Sequence, residues 1–143
     1  MTEEQIRKFF TRIDQITPKH KPRFGKMNAN QMVCHCTDFF RMAKGSKIAQ
    51  EYEQINSDVI ISLARSGKPI QAPKGFGQVE GEGTMTTGLE NDKKILKDHI
   101  LEFSELPRDF SFALHPYFGE ITRKRWIGLA IYHLDHHLGQ FNV

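Results

Sequence analysis

The chain has 143 residues, of which 38% are hydrophobic and 26% charged, as is typical of one globular domain. Its 20 basic and 17 acidic side chains leave a net charge of only +3, which argues against a nucleic-acid-binding surface. No stretch approaches the roughly 20 apolar residues of a membrane span, and acidic residues near the start are atypical of a targeting peptide. We therefore expect a single cytoplasmic domain over residues 1–143, with no nucleic-acid or membrane partner.

Apolar periodicity predicts the helices in chain order. The first carries apolar residues at three-and-four spacing behind Thr2 and ends at Thr17-Pro18. A capping pattern of Asn28 with Gln31 opens the second, which ends at Gly45. A third helix is predicted around residues 50–66, where Tyr52 and Ile55 begin an apolar stripe.

A glycine-rich segment from Ser66 to Thr87 follows and predicts a long loop, a feature often found in functional lids. Thr87 with Glu90 is expected to cap a fourth helix, which ends at Pro107. A fifth runs from Thr122 to about Gln140. Four long helices and a shorter one predict an all-α bundle.

Histidine is the residue type that points to function, because three of the seven histidines lie within five residues near the C-terminus. On a helix, His133 and His137 lie about 40° apart and one turn along, a spacing at which two imidazoles reach one metal ion. His35 on the second helix is the leading candidate for a third ligand. The alternative is that these are structural histidines or part of a solvated face.

Sulfur ligands are not favoured by the same geometry. Cys34 and Cys36 would project about 100° to either side of His35 on a helix, so they cannot both join it at one ion. With one residue between them they also cannot link distant parts of the fold, which fits a reducing compartment.

The last helix resembles the signature of the DinB/YfiT-like metalloprotein superfamily, whose typical form is H-E-x-H-H-x-G-Q. Here the segment reads His133-Leu134-Asp135-His136-His137-Leu138-Gly139-Gln140. The helix-two motif of that superfamily is similar to Asn30-Gln31-Met32-Val33-Cys34-His35, and a narrower branch of unknown function is similar in His115-Pro116-Tyr117-Phe118-Gly119 and Trp126. Leu134 and Leu138 stand where the family carries an acidic and a basic residue.

This resemblance spans the whole chain and implies an up-down four-helix bundle with an extra short helix or long loop. It implies a divalent ion held by His35, His133 and His137, with zinc as the expected metal and nickel as the alternative. It also implies a homodimer. Characterised members include thiol-dependent transferases, an isomerase and hydrolases, so the partner is expected to be a small molecule, including a low-molecular-weight thiol.

Catalysis at such a site needs a proton carrier, and the candidates outside the triad are His136 and His115. His115 has an alternative role in a turn that orients the last helix. For ligand histidines, the expected hydrogen-bond partners are Gln31, Asp38, Asp135 and, as first choice, Gln140.

The expected function is therefore a metal-dependent hydrolase or thiol-dependent transferase. The alternative is a non-catalytic metal- or ligand-binding bundle with a role in stability or sensing. The basic residues Arg123, Lys124 and Arg125 either bind an anionic substrate or form a solvated helix end.

Overall fold

A computed structural model describes residues 1–52, 55–66, 68 and 70–143. Across these ranges the chain forms five helices and no strand, which confirms the all-α class. The helices are α1 (Glu3–Gln15), α2 (Ala29–Lys44), α3 (Ser57–Arg65), α4 (Leu89–Glu105) and α5 (Arg123–Gln140). None of these helices combines the length and the apolar character that crossing a membrane requires.

Three helices begin at the residues that the sequence predicted. Thr2 caps α1 and Asn28 caps α2, each through a reciprocal pair of bonds with a glutamine three residues on. Thr122 caps α5 by accepting a hydrogen bond from a backbone N–H in the first turn. At the other end of α2, Gly45 adopts a φ of 77°, a left-handed conformation that glycine tolerates without strain.

Helix α3 is shorter than predicted, because it begins at Ser57 rather than near residue 50. The side chain of Asn56 accepts a hydrogen bond from Asp58 N at 2.8 Å and so starts the helix there. Tyr52 and Ile55 therefore precede the helix, contrary to the prediction, and residues 53 and 54 lie outside the described residues.

The start of α4 also differs from the prediction. Gly88, not Thr87, is the N-cap residue, and its position has no side-chain cap. Instead, the buried Asp92 carboxylate accepts hydrogen bonds from Thr87 N, Thr87 Oγ1 and Gly88 N, and a further one from Asn30 on α2. A carboxylate at a helix N-terminus is a stronger acceptor than a threonine hydroxyl, so it decides the local geometry.

Four helices build the core. Helix α2 packs against α4 and α5, and α1 packs against the same two helices. The largest fully buried side chains of these helices are Ile13, Met32, Val33, Phe40, Leu96, Ile100, Phe103, Trp126, Leu134 and Leu138. Most side chains of α2 are buried, and they include the polar residues Thr37 and Asp38.

The segment between α3 and α4 is a long loop, as predicted, in the residues that the structure describes. It is attached to α2 through Asp38, whose side chain is fully buried. Asp38 Oδ2 accepts hydrogen bonds from Thr84 N at 2.9 Å and from Lys47 Nζ at 2.8 Å, and Oδ1 accepts from Thr84 Oγ1. The loop therefore crosses the side of α2 that carries His35, three residues before Asp38.

Candidate metal centre

Three histidine rings converge between α2 and α5. His35, His133 and His137 each offer one ring nitrogen, and these nitrogens lie within 4.8 Å of one another. The ring centroids are 4.5 to 4.8 Å apart. The predicted residues are thus close enough together to hold a metal ion.

Burial keeps these three imidazoles neutral at pH 7. Desolvation is the main cause that lowers the pKa of His35 to about 4 and that of His137 to about 3. It also holds the pKa of His133 well below the ordinary value, and the two neighbouring imidazoles act in the same direction. A neutral imidazole has a free lone pair, which is the form that binds a metal ion.

Two buried ring nitrogens in this cluster lack a hydrogen-bond partner among the described residues. They are His35 Nδ1 and His133 Nε2. Buried polar atoms in folded proteins nearly always have a partner, and an unpaired one is costly. Three neutral imidazoles, two of which carry an unpaired buried nitrogen, fit the preference of zinc, nickel and similar divalent ions for nitrogen ligands.

The third ring is held by a glutamine. Gln140 Nε2 donates to the backbone oxygen of Phe24 at 2.6 Å, so its Oε1 faces His137 Nδ1 at 3.0 Å. Since Oε1 can only accept, Nδ1 carries the proton and the lone pair of His137 is on Nε2. This is the partner that the sequence suggested first, and it fixes the tautomer a metal ligand needs.

The other expected partners are engaged elsewhere. Asp38 binds the loop as described above, and Gln31 belongs to the cap of α2. Asp135 forms an ion pair with Arg12 of α1. For His35 and His133, sequence reasoning therefore gave no correct hydrogen-bond partner.

An aromatic neighbour of the triad was missed by the sequence reasoning. Phe39 stacks on His133 with ring centroids 4.8 Å apart and an interplanar angle of 24°. The signal was present, because Phe39 lies one turn after His35 on α2 and so shares its side of the helix. Its ring limits the orientations open to His133.

The two cysteines are not part of the cluster. Both are buried free thiols, and burial is the main cause that raises the pKa of Cys34 to about 12. Burial also raises the pKa of Cys36, whose Sγ lies 3.7 Å from Met32 Sδ. The expectation that sulfur does not supply the ligands agrees with this placement.

A cavity of about 500 Å³ lies beside the triad. All three histidines line it, together with residues of α3, of the 70–80 segment and of α5 along its whole length. Most of the described lining is apolar, including Phe39, Met42 and Ile60. The arrangement leaves a small-molecule-sized space in contact with the histidine rings.

His115 lines the same cavity but does not belong to the triad. Its Nδ1 accepts a hydrogen bond from Tyr117 N at 3.1 Å, and its backbone pairs with Gly119 in both directions. Burial, followed by the nearby charge of Arg125, lowers the pKa of His115 to about 4. His115 therefore combines a position in the turn before α5 with a place at the cavity, and its role as a proton carrier stays a prediction.

His136 is exposed and stands next to the triad. Its ring meets His137 edge-on at 4.9 Å and also contacts Phe24 at 5.3 Å and Tyr132 at 6.0 Å. Partial burial lowers its pKa. It lines the cavity from the solvent side, so its role as a proton carrier also stays a prediction.

Comparison of the chain with protein-family models, with curated proteins and with solved structures gave no match. The DinB/YfiT-like resemblance thus stays a prediction that rests on the motif residues. The three neighbouring histidines and the adjoining cavity are features of the structure.

Proposed function

We propose that this protein is a metal-dependent enzyme that acts on a small molecule as a hydrolase or a thiol-dependent transferase. One observation carries the proposal: three partly buried, neutral histidines bring their ring nitrogens together at the wall of a cavity of about 500 Å³. A divalent ion bound by three imidazoles lowers the pKa of a water or a thiol at its remaining position, so it serves either chemistry.

The residues of the chain have separable tasks in this proposal. His35, His133 and His137 would hold the ion, and Gln140 keeps the lone pair of His137 on Nε2. Phe39 restricts the His133 ring. His136 and His115 border the cavity and are the groups proposed to exchange protons with the substrate.

The position of the cavity favours catalysis over a purely structural ion. A structural zinc is enclosed by four protein ligands, whereas a catalytic one keeps a position open to substrate. Among the described residues, the group with the spacing of metal ligands consists of three histidines. The space beside them is large enough for a small molecule.

The family and the bundle belong to the same proposal. We infer a DinB/YfiT-like four-helix bundle formed by α1, α2, α4 and α5. The mutual packing of α1 and α2 against α4 and α5 supports it, as does the agreement of the triad with the family motif.

The first experiment measures the metal content of protein prepared without a histidine tag. We expect about one divalent ion per chain, retained in His20→Ala and lost when His133→Ala and His137→Ala are combined. Circular dichroism verifies that the fold of the double variant is intact. Absence of any ion from the native chain, even after incubation with zinc or nickel, would rule out the metalloenzyme.

A second experiment separates enzyme from binding protein. The metal-loaded chain is assayed against ester and amide substrates and against electrophiles with added low-molecular-weight thiols. Turnover that disappears in the double variant would support the enzyme. A bound metal without turnover of any of these substrates would favour the non-catalytic alternative.

A further inference from the structure

Basic residues outnumber acidic residues around the cavity. Among the described residues that line it, one is acidic, Glu80, and four are basic: Lys26, Arg65, Lys68 and Arg125. The four basic residues are exposed and therefore lie at the mouth, whereas most of the interior is apolar. An apolar interior with a basic mouth favours an apolar molecule that carries a negative charge.

Arg125 is the basic residue whose position is most informative. It lies in the first turn of α5, eight residues before His133, which corresponds to about 12 Å along the helix axis. Its guanidinium carbon is 4.7 Å from the centre of the Phe118 ring, a contact that restrains a flexible side chain. A restrained guanidinium loses less entropy when it binds a ligand.

Arg125 also has no carboxylate partner in the described part of the chain. Two other arginines do: Arg12 forms an ion pair with Asp135, and Arg41 forms one with Asp38. The guanidinium of Arg125 therefore keeps its hydrogen-bond donors for something outside the described residues. Planar, bidentate donation of this kind suits a carboxylate or a phosphate.

A row of contacts connects Arg125 to the interior of the cavity. Phe118 lies below the guanidinium and packs against His115 with ring centroids 4.7 Å apart, and all three side chains line the cavity. A ligand that extends from Arg125 along α5 toward the triad would pass Leu129, which also lines the cavity.

We propose that the cavity takes an elongated apolar molecule with an anionic end group, a carboxylate or a phosphate. Arg125 binds the anionic end, and the other end lies beside His133 and His137. This inference rests on the proposed function for the role of the ligand end that lies beside the histidine triad. The preference for an anionic ligand does not itself require a metal. Arg125 is a specificity residue in this scheme and takes no part in bond making or breaking.

Isothermal titration calorimetry on the metal-free protein tests the preference with octanoate, octyl phosphate and octanol. We expect at least one of the two anions to bind about tenfold or more tightly than octanol, and the tighter anion identifies the end group. Arg125→Met should reduce that preference to about twofold or less. Lys124→Met is the matched control, since Lys124 is the exposed neighbour on the same helix and does not line the cavity; it should leave the preference unchanged.

Three results would overturn the inference: equal affinity for the anions and octanol, no binding of any of them, or equal losses in Arg125→Met and Lys124→Met. Repeating the titrations with added zinc, and with 8-mercaptooctanoate as a further anionic ligand, separates this inference from the proposed function. If the native chain binds no zinc but the anion preference still depends on Arg125, the metal proposal fails and the ligand class stands. If zinc binds and the preference is absent, the ligand class fails and the metal proposal stands.

Discussion

Gln140 Oε1 lies 3.0 Å from His137 Nδ1, close to one turn away on α5. The same amide donates to Phe24 O, and the backbone oxygen of Gln140 accepts from Arg23 N at 2.8 Å. Gly25 follows with a φ of 75°, and a Cβ there would stand 2.8 Å from Gln140 Nε2. One glutamine thus joins a candidate metal ligand to the loop between α1 and α2.

Replacing this glutamine should weaken metal binding without removing a ligand. In Gln140→Leu, His137 loses the acceptor that fixes its tautomer, and we expect zinc affinity to fall about 10- to 100-fold. Competition with a chromogenic chelator measures the affinity. Asp135→Ala, on the exposed side of the same helix, is the control and should bind zinc as the native chain does. Equal zinc affinity in the native chain and Gln140→Leu would contradict the role assigned to this bond.

Zinc should stabilise the folded chain through all three histidines. At a free zinc concentration 100 times its dissociation constant, the expected gain is about 2.7 kcal/mol, or a rise in Tm of roughly 5 to 10 °C for a chain of this size. His35→Ala should lose most of this rise. Differential scanning fluorimetry with and without zinc provides the measurement.

His99→Ala is the matched control for the zinc shift. His99 lies on α4 beside Lys44 and Glu102 and does not line the cavity, so its removal should leave the zinc-dependent rise intact. A similar rise in His35→Ala and in the native chain would show that zinc binds elsewhere.

The helix starts show how far the sequence alone could go. Thr2, Asn28 and Thr122 cap their helices through residues three positions on, so a local pattern was sufficient. At α4 the decisive group is Asp92, whose bond to Asn30 on α2 depends on tertiary structure. No local pattern contains that information.

In the candidate site, too, some features follow from the local sequence and others depend on tertiary contacts. The spacing of His133 and His137 follows from helix geometry, and the choice of His35 followed from its motif and its place on α2. The stacking of Phe39 on His133 and the course of the loop across α2 join residues far apart in sequence. These contacts depend on how the helices pack, which periodicity does not specify.

Acid should destabilise the metal-free fold through its buried histidines. His115 has a pKa of about 4 when folded and an ordinary value of 6.5, so between these pH values the unfolded chain binds more protons. The contribution of neutral His115 to the free energy of unfolding is present above pH 6.5 and is lost as the pH falls toward 4. At pH 5 the loss is about 2 kcal/mol for each such histidine.

Urea unfolding at pH 7.5 and pH 5 checks this, in a range above the usual pKa of carboxylates. In His115→Gln, the difference in unfolding free energy between the two pH values should shrink by about 2 kcal/mol relative to the native chain. The two proteins should show equal urea sensitivity, which verifies that they unfold by the same transition. Identical pH dependence in both would refute the assignment.

Asp38 should control how firmly the loop at the cavity is held. Burial alone would raise the pKa of this carboxyl, but hydrogen bonds from Lys47 and Thr84 outweigh it, so the pKa is lowered and the group is ionised at pH 7. In Asp38→Asn, Lys47 and Arg41 lose their buried counter-charge and one acceptor is lost to Thr84. We expect a loss of about 3 kcal/mol in unfolding free energy.

The same substitution should act locally before the chain unfolds globally. Residues 77–80 line the cavity, and Thr84 attaches this segment to α2, so amide hydrogen exchange across residues 77–84 should accelerate more than exchange in α4. Asp98→Asn is the control, because Asp98 forms an exposed i,i+4 ion pair with Lys94 that contributes about 0.5 kcal/mol or less. If Asp38→Asn changed exchange no more than Asp98→Asn, the loop would be held by contacts other than Asp38. Faster exchange confined to this segment would identify Asp38 as the residue through which α2, the helix that carries His35, keeps the cavity wall in place.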